Sequence, residues 1–233
     1  ELERRAVYTF RSVIASRWRK GRVLLAGDAA HQTPPFMGQG MCAGIRDAAN
    51  LAWKLTAFVR GGAGSDLLDT YQSERSPHAR EYIETAIRLG RLINTSNTSA
   101  ALEAAFPQQD GSARMASITP PLGPGLLKDG DAAAGRPAIQ PRLADGRLLD
   151  DACGYRFVLL ADHALWSKCE DRLSSRAGDL SIISGDGEPA VRQYLEALGK
   201  KAVLIRPDRY VLGTADTPDE LDHLLRILPA TGQ

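Results

Sequence analysis

The chain has 233 residues, 43% hydrophobic and 24% charged, an ordinary globular composition with room for one large domain or two small ones. Lys+Arg 29 against Asp+Glu 28 leaves a net charge of +1, so no global field draws it onto nucleic acid or an anionic membrane, and no apolar run is long enough to span a bilayer. Three scattered cysteines, Cys42, Cys153 and Cys169, exclude a disulfide framework and make a reducing cytoplasm the expected compartment.

The sequence opens Glu1-Leu-Glu-Arg-Arg, with neither an initiator Met nor an apolar h-region. No signal peptide is expected, and the chain reads as a fragment. Arg4, Arg5, Arg11, Arg17, Arg19, Lys20 and Arg22 make the first residues locally basic without a stacking series of aromatics, which is the pattern of a solvated face. Val7-Tyr-Thr-Phe10 has the residue types of a short strand. Val23-Leu-Leu-Ala26, a continuous apolar run between two glycines, suits a strand buried on both faces. Such a strand delivers ligand-binding groups at its carboxyl end, here Gly27-Asp28.

From Gly40 the spacing of Met41, Ile45, Ala48, Ala49, Ala52, Leu55 and Val59 predicts a helix with these residues on its apolar side, stopped by Gly61-Gly62. Residues 66–73 read as a shorter helix. Ser76-Pro77 then reads as an N-cap and first turn opening another helix, with Tyr82, Ile83, Ala86, Ile87, Leu89 and Ile93 facing inward. From Pro107 to residue 145, prolines and glycines replace helical periodicity, which marks a linker between domains at 1–106 and 146–233. Beyond it, strands are expected at Arg156–Leu160, Leu180–Ile183, Ala202–Ile205 and Tyr210–Leu212. Helices are expected over 163–175, 188–198 and, behind a Thr217-Pro-Asp-Glu220 capping box, through Leu228. This β-α-β-α-β-β-α order is that of a thioredoxin-like α/β domain.

The stretch Gly21-Arg-Val-Leu-Leu-Ala-Gly-Asp28-Ala-Ala-His31, continuing through Pro34-Pro-Phe-Met-Gly38-Gln-Gly40, carries the chemistry. Asp28 at a strand end can accept hydrogen bonds from the hydroxyls of a ligand, bonds strengthened by its charge. Gly38, Gln39, Gly40 and Met41 form a helix start, where unpaired N–H groups and a partial positive charge favour an anion. Glycine there lets a flat ring approach the backbone. Pro34-Pro35 fixes the loop between. A Gly-Asp turn or a Gly-x-Gly helix start is commonly structural when it stands alone, and Gly44 falls one residue late for the Rossmann spacing. Together, in this order, they point to a bound cofactor. His31 reads as a packed, hydrogen-bonded residue beside Asp28. His78, His163 and His223 read as surface or cap residues, and Trp53 as core. No metal-ligand spacing, Cys-x-x-Cys or Gly-x-Ser-x-Gly motif occurs.

Residues 21–60, from this stretch through Asp47-Ala-Ala-Asn50-Leu-Ala-Trp53-Lys54-Leu, closely resemble the class A FAD-dependent aromatic hydroxylases, and Leu68-Asp-Thr-Tyr71-Gln-Ser-Glu74-Arg75-Ser-Pro77 continues the match. The text around Pro34 is most similar to the 3-(3-hydroxyphenyl)propionate hydroxylase branch, and the part after the linker to the thioredoxin-like tail of the phenol hydroxylase group. The resemblance implies the carboxyl-terminal part of a flavin-monooxygenase FAD-binding domain followed by a thioredoxin-like domain. It also implies FAD and NAD(P)H as cofactors, a small phenolic substrate and oxygen as partners, ring hydroxylation as the reaction, and a homo-oligomer. By the same resemblance Asp28 would hold the ribityl and pyrophosphate region, and Pro34 and Pro35 would line the cavity over the flavin ring. Gly38, Gln39, Gly40 and Met41 would face its pyrimidine edge. Asn50 would hold the following helix or touch the cofactor, and Tyr8 would lie near substrate. The family's amino-terminal Gly-x-Gly-x-x-Gly is not in this sequence, so these residues are expected to supply one wall of the site in an incomplete portion of the enzyme. The alternatives are a non-catalytic association module, and an epoxidase or reductase of the same fold.

Overall fold

A computed structural model describes residues 7–93, 118–176 and 178–230. It divides into two compact units, Glu1–Ala48 with Ser76–Pro120, and Ala49–Arg75 with Pro121–Gln233. Both are mixtures of helix and sheet.

In the first unit, β1 (Val13–Ile14) pairs antiparallel with β4 (His31–Gln32), and β2 (Arg19–Lys20) with β3 (Val23–Leu24). The β2–β3 hairpin turns through Gly21-Arg22, with Gly21 at φ +60°, a conformation glycine adopts without steric cost. Two expectations fail here. Val7–Phe10 forms no strand, because Val7, Tyr8 and Phe10 are all exposed and β-propensity acts only through packing against neighbours. The Val23 run is not buried on both faces: only two of its residues pair, and Val23 is 66% exposed at the hairpin. Trp18, by contrast, is fully buried, and its indole N–H donates to the Ala15 carbonyl at 3.1 Å.

Helix α1 (Gly40–Val59) has the expected bounds and stops before Gly61, which takes φ +73°. Its buried side is not the one that apolar spacing indicates. Met41, Ile45 and Val59 are exposed, while Ala43, Asp47, Asn50, Trp53 and Lys54 are buried. Helix α2 (Asp66–Ile93) is continuous through Pro77, so the break expected at Ser76 is absent. A proline inside a helix removes one backbone bond and costs about 3 kcal/mol. Burial of Tyr71, Glu74, Arg75, His78, Ala79 and Tyr82 on both sides of it holds the helix together.

The second unit is built on a four-stranded sheet of order β6-β5-β7-β8, from β5 (Phe157–Ala161), β6 (Leu180–Ser184), β7 (Ala202–Ile205) and β8 (Val211–Ala215). β5 runs parallel to β6 with Phe157 opposite Leu180, and antiparallel to β7 with Leu159 opposite Leu204. β7 and β8 are antiparallel with a register shift at Leu204/Ile205. Side chains alternate between two cores. Phe157, Leu159, Ala161, Ala202 and Leu204 pack with Trp53 and Leu67, with Leu165 of α4 (His163–Trp166) and Leu173 of α5 (Glu170–Ser174), and with Leu221 and Leu224 of α7 (Pro218–Ile227). Val158, Leu160, Val203 and Ile205 pack with Leu149 of α3 (Leu149–Cys153) and with Val191 and Leu195 of α6 (Pro189–Leu198). Thr217 caps α7 by accepting from the Glu220 N–H at 3.3 Å, and Glu220 reaches back to the Asp216 N–H at 2.7 Å. Of the proline- and glycine-rich stretch, residues 107–117 lie outside the described residues. Residues further on run beside β8: the Lys128 and Gly135 amides donate to the Leu212 and Val211 carbonyls at 2.8 and 2.9 Å.

A charge network is buried in this unit. Glu74 Oε2 accepts from Asn50 Nδ2, Lys54 Nζ and Arg206 Nη2, each at 2.7 Å. Asp208 Oδ2 accepts from Asn50 at 2.9 Å and from Arg206 at 2.7 Å. Glu74 Oε1 takes the Leu126 amide at 2.8 Å, and a Cβ on neighbouring Gly125 would overlap that carboxylate, so the loop can approach only as glycine. Two cations balance two anions. Burial pulls the Lys54 ammonium down to about 8 although Glu74 opposes it. Burial alone would raise Glu74, but the charges of Arg206 and Lys54 outweigh it and hold the carboxyl at about 2.

Candidate functional site

The stretch singled out by its chemistry folds as two single-turn 3-10 helices leading into α1. Gly27–Ala29 forms the first, opened by Gly27 at φ +56° and closed by the Ala30 N–H donating to the Gly27 carbonyl at 2.8 Å. Asp28 sits exposed at its centre. This differs from a carboxylate carried directly on a buried strand end, because the paired strand stops at Leu24. Pro34 is buried and extended, and Pro35 exposed at the start of the second turn, Pro35–Met37. Gly38 ends that turn in the left-handed region, at φ 62° and ψ 21°, with its N–H donating to the Pro35 carbonyl at 3.0 Å. Gln39 is half-buried and its carbonyl accepts from the Ala43 N–H at 2.8 Å, the bond that starts α1. Gly40 is the first helical residue, and Met41 follows at 77% exposure.

Three contacts hold this arrangement. Asp47, about two turns along α1, accepts from the Gly27 N–H through Oδ2 at 3.0 Å, and the same oxygen lies 2.6 Å from His31 Nε2. Both side chains are buried, and the His31 ring packs on Trp18 with centroids 5.4 Å apart. A Cβ on Gly44 would lie 3.3 Å from the Gly27 Cα, so the Asp28 turn rests against the first turns of α1. The Phe36 ring lies against Gly90 of α2, where any Cβ would overlap it. The Asp28 turn and the amino end of α1 are thereby brought together, and the prolines between them are fixed at both ends.

His31 is packed and hydrogen-bonded, as its sequence position suggested, and its partner is Asp47. Apolar periodicity could not reveal Asp47, although a buried stripe at 43, 47, 50 and 54 has helical spacing once polar residues are admitted to it. Asn50 bonds to Glu74 of α2 and to Asp208, and so holds the following helix. Tyr8 lies in no strand and is 67% exposed.

Chemically, this surface offers the first N–H groups of a 20-residue helix, which have no acceptor within the helix, next to one exposed carboxylate. At Gly38 and Gly40 a Cβ would meet nothing within 4 Å, so the backbone is open to a close-lying group. Helix donors suit an anionic or carbonyl-bearing ring edge, and the carboxylate suits hydroxyls. These residues fit a flavin's pyrimidine edge and ribityl chain.

Residues 1–86 match the family model described as FAD binding domain. The chain is 40% identical to a probable NADH-specific resorcinol 4-hydroxylase of Rhodococcus jostii, over 99% of the chain and 47% of that protein. It is 36% identical to a 3-(3-hydroxy-phenyl)propionate/3-hydroxycinnamic acid hydroxylase of Mycolicibacterium smegmatis, over 90% of the chain and 45% of that protein. Among solved structures, the flavin-dependent monooxygenase PieE in complex with FAD and substrate is similar with a TM-score of 0.76 at 24% identity, over 94% of the chain and 49% of PieE, a likeness of fold. The chain spans about half the length of the curated relatives it matches. Its resemblance to FAD-dependent aromatic hydroxylases holds across both units.

Proposed function

We propose that this chain is the carboxyl-terminal portion of an FAD- and NAD(P)H-dependent monooxygenase that hydroxylates a small phenolic substrate with molecular oxygen. The observation that carries the reading is the open amino end of α1 at Gly40, set beside the exposed Asp28 within a stretch that matches an FAD binding domain. FAD, when bound, supplies the redox chemistry, and the protein positions and polarises it. Asp28 accepts from ribityl hydroxyls. The Gly38–Met41 backbone would face the pyrimidine edge, with the N–H groups of Gly40 and Met41 as fixed dipoles favouring negative charge there. Pro34 and Pro35 wall the space over the ring. Asp47 is a positioning residue that acts through Gly27 and His31.

The relatives' names favour a single-ring substrate of the resorcinol or 3-(3-hydroxyphenyl)propionate type, with NADH as reductant. A thioredoxin-like character for residues 146–233 belongs to the same reading, supported by the sheet order β6-β5-β7-β8 with one parallel and two antiparallel pairings. The free thiols of Cys42, Cys153 and Cys169 support a reducing, cytoplasmic setting. The test is turnover of the complete enzyme with FAD, NADH and oxygen, separately with resorcinol and with 3-(3-hydroxyphenyl)propionate. Substrate-stimulated NADH oxidation, with a product one oxygen atom heavier, is expected for at least one of them. NADH consumption with no oxygenated product from either contradicts the proposal.

A further inference from the structure

A cavity of about 350 Å³ opens within the second unit, and it shares no residue with the 27–41 stretch. Trp53 and Phe157, both buried, supply its aromatic wall, their rings meeting edge to face with centroids 5.5 Å apart. The Arg206 guanidinium of the charge network lies 5.1 Å from the Trp53 ring centroid and helps to fix that ring. The Trp53 indole N–H is buried and has no acceptor among the described residues.

Arg60, Arg156 and Arg176 also line the cavity, against a single carboxylate, Asp179. Elsewhere in this unit Arg147 is matched to Asp145, Arg172 to Asp222, Arg206 to Glu74 and Asp208, and Arg209 to Asp150, whereas Arg136, Arg142, Arg192 and Arg226 do not line this cavity and show no ion pair among the described residues. Among the described residues none of the three cavity arginines makes an ion pair. Arg176 is steadied by donating to the Pro229 carbonyl at 2.6 Å. Unmatched guanidinium groups beside an aromatic wall combine the planar, forked donors that carboxylates take with a surface for a ring. The volume lies at the small end of the roughly 300–1,000 Å³ range of ligand sites, the size of a one-ring molecule.

From these features we infer that the cavity is a binding site for a single-ring aromatic carboxylate, its ring against Trp53 and Phe157 and its carboxylate among Arg60, Arg156 and Arg176. The site does not depend on the flavin assignment. Isothermal titration of the 233-residue chain with benzoate, benzyl alcohol and inorganic phosphate tests it, alongside Arg60→Gln and Arg156→Gln, both exposed positions, and the double variant. Circular dichroism melting checks that each variant is folded. Benzoate is expected to saturate one site, with benzyl alcohol and phosphate each weaker by about tenfold or more, and each single substitution weakening benzoate by about tenfold. No saturable benzoate binding to the folded chain, phosphate binding as well as benzoate, or benzoate affinity unchanged in the double variant would each overturn the inference.

Discussion

One oxygen of Asp47 serves two donor positions, the Gly27 amide at 3.0 Å and His31 Nε2 at 2.6 Å, and through them it fixes the turn that presents Asp28. Asp47→Ala leaves a buried imidazole and a backbone N–H without that acceptor. It is expected to lower stability by about 1–3 kcal/mol, read as a lower urea midpoint at unchanged slope. Asp47→Asn keeps the shape and one acceptor oxygen, and should recover part of the loss. A midpoint for Asp47→Ala equal to wild type would show that the turn is held by something else. The helix start at Gly40 was legible in the sequence because helix-start residues leave local marks. Asp47 was not, because its meaning depends on contacts sixteen and twenty positions away.

Among the elements, the central strands of the second unit were easiest to read, since Phe157–Ala161 and Ala202–Ile205 are short apolar runs buried on both faces. Helix α1 was read correctly in extent, from its glycine boundaries, and wrongly in orientation, because its inner side carries Asp47, Asn50 and Lys54. Charged side chains point inward only when partners await them. The partners of Asn50 and Lys54, Glu74 on α2 and Asp208 between β7 and β8, are remote in sequence, as are Gly27 and His31 for Asp47. The same remoteness hid the continuity of α2 through Pro77. Removing one member of such a network strands buried charge, so Glu74→Ala is expected to cost about 3–5 kcal/mol in chemical denaturation. Glu74 also sets an acid dependence. Its carboxyl is held at about 2 against an ordinary 4.5, so its contribution of about 3 kcal/mol is complete above pH 4.5 and is lost as pH falls through 2. A Glu74→Gln variant should show a correspondingly shallower fall in stability over that window. An acid profile identical to wild type would exclude Glu74 as its source.

For the molecule as a whole, the 20-residue helix α1 opens on N–H groups that have no acceptor within the helix, and it carries Asn50 and Lys54, both bonded to Glu74. Among the described residues no helix is long and apolar enough to cross a membrane. The proposal that the Asp28 turn and the Gly38–Met41 helix start together hold FAD is tested most directly by titrating FAD into the complete apoenzyme, wild type and Asp28→Ala, following flavin fluorescence. Asp28 is exposed, so the variant should fold as wild type does. Loss of a charge-assisted hydrogen bond predicts an FAD dissociation constant raised by about tenfold or more. A folded Asp28→Ala enzyme that binds FAD with wild-type affinity would contradict the claim.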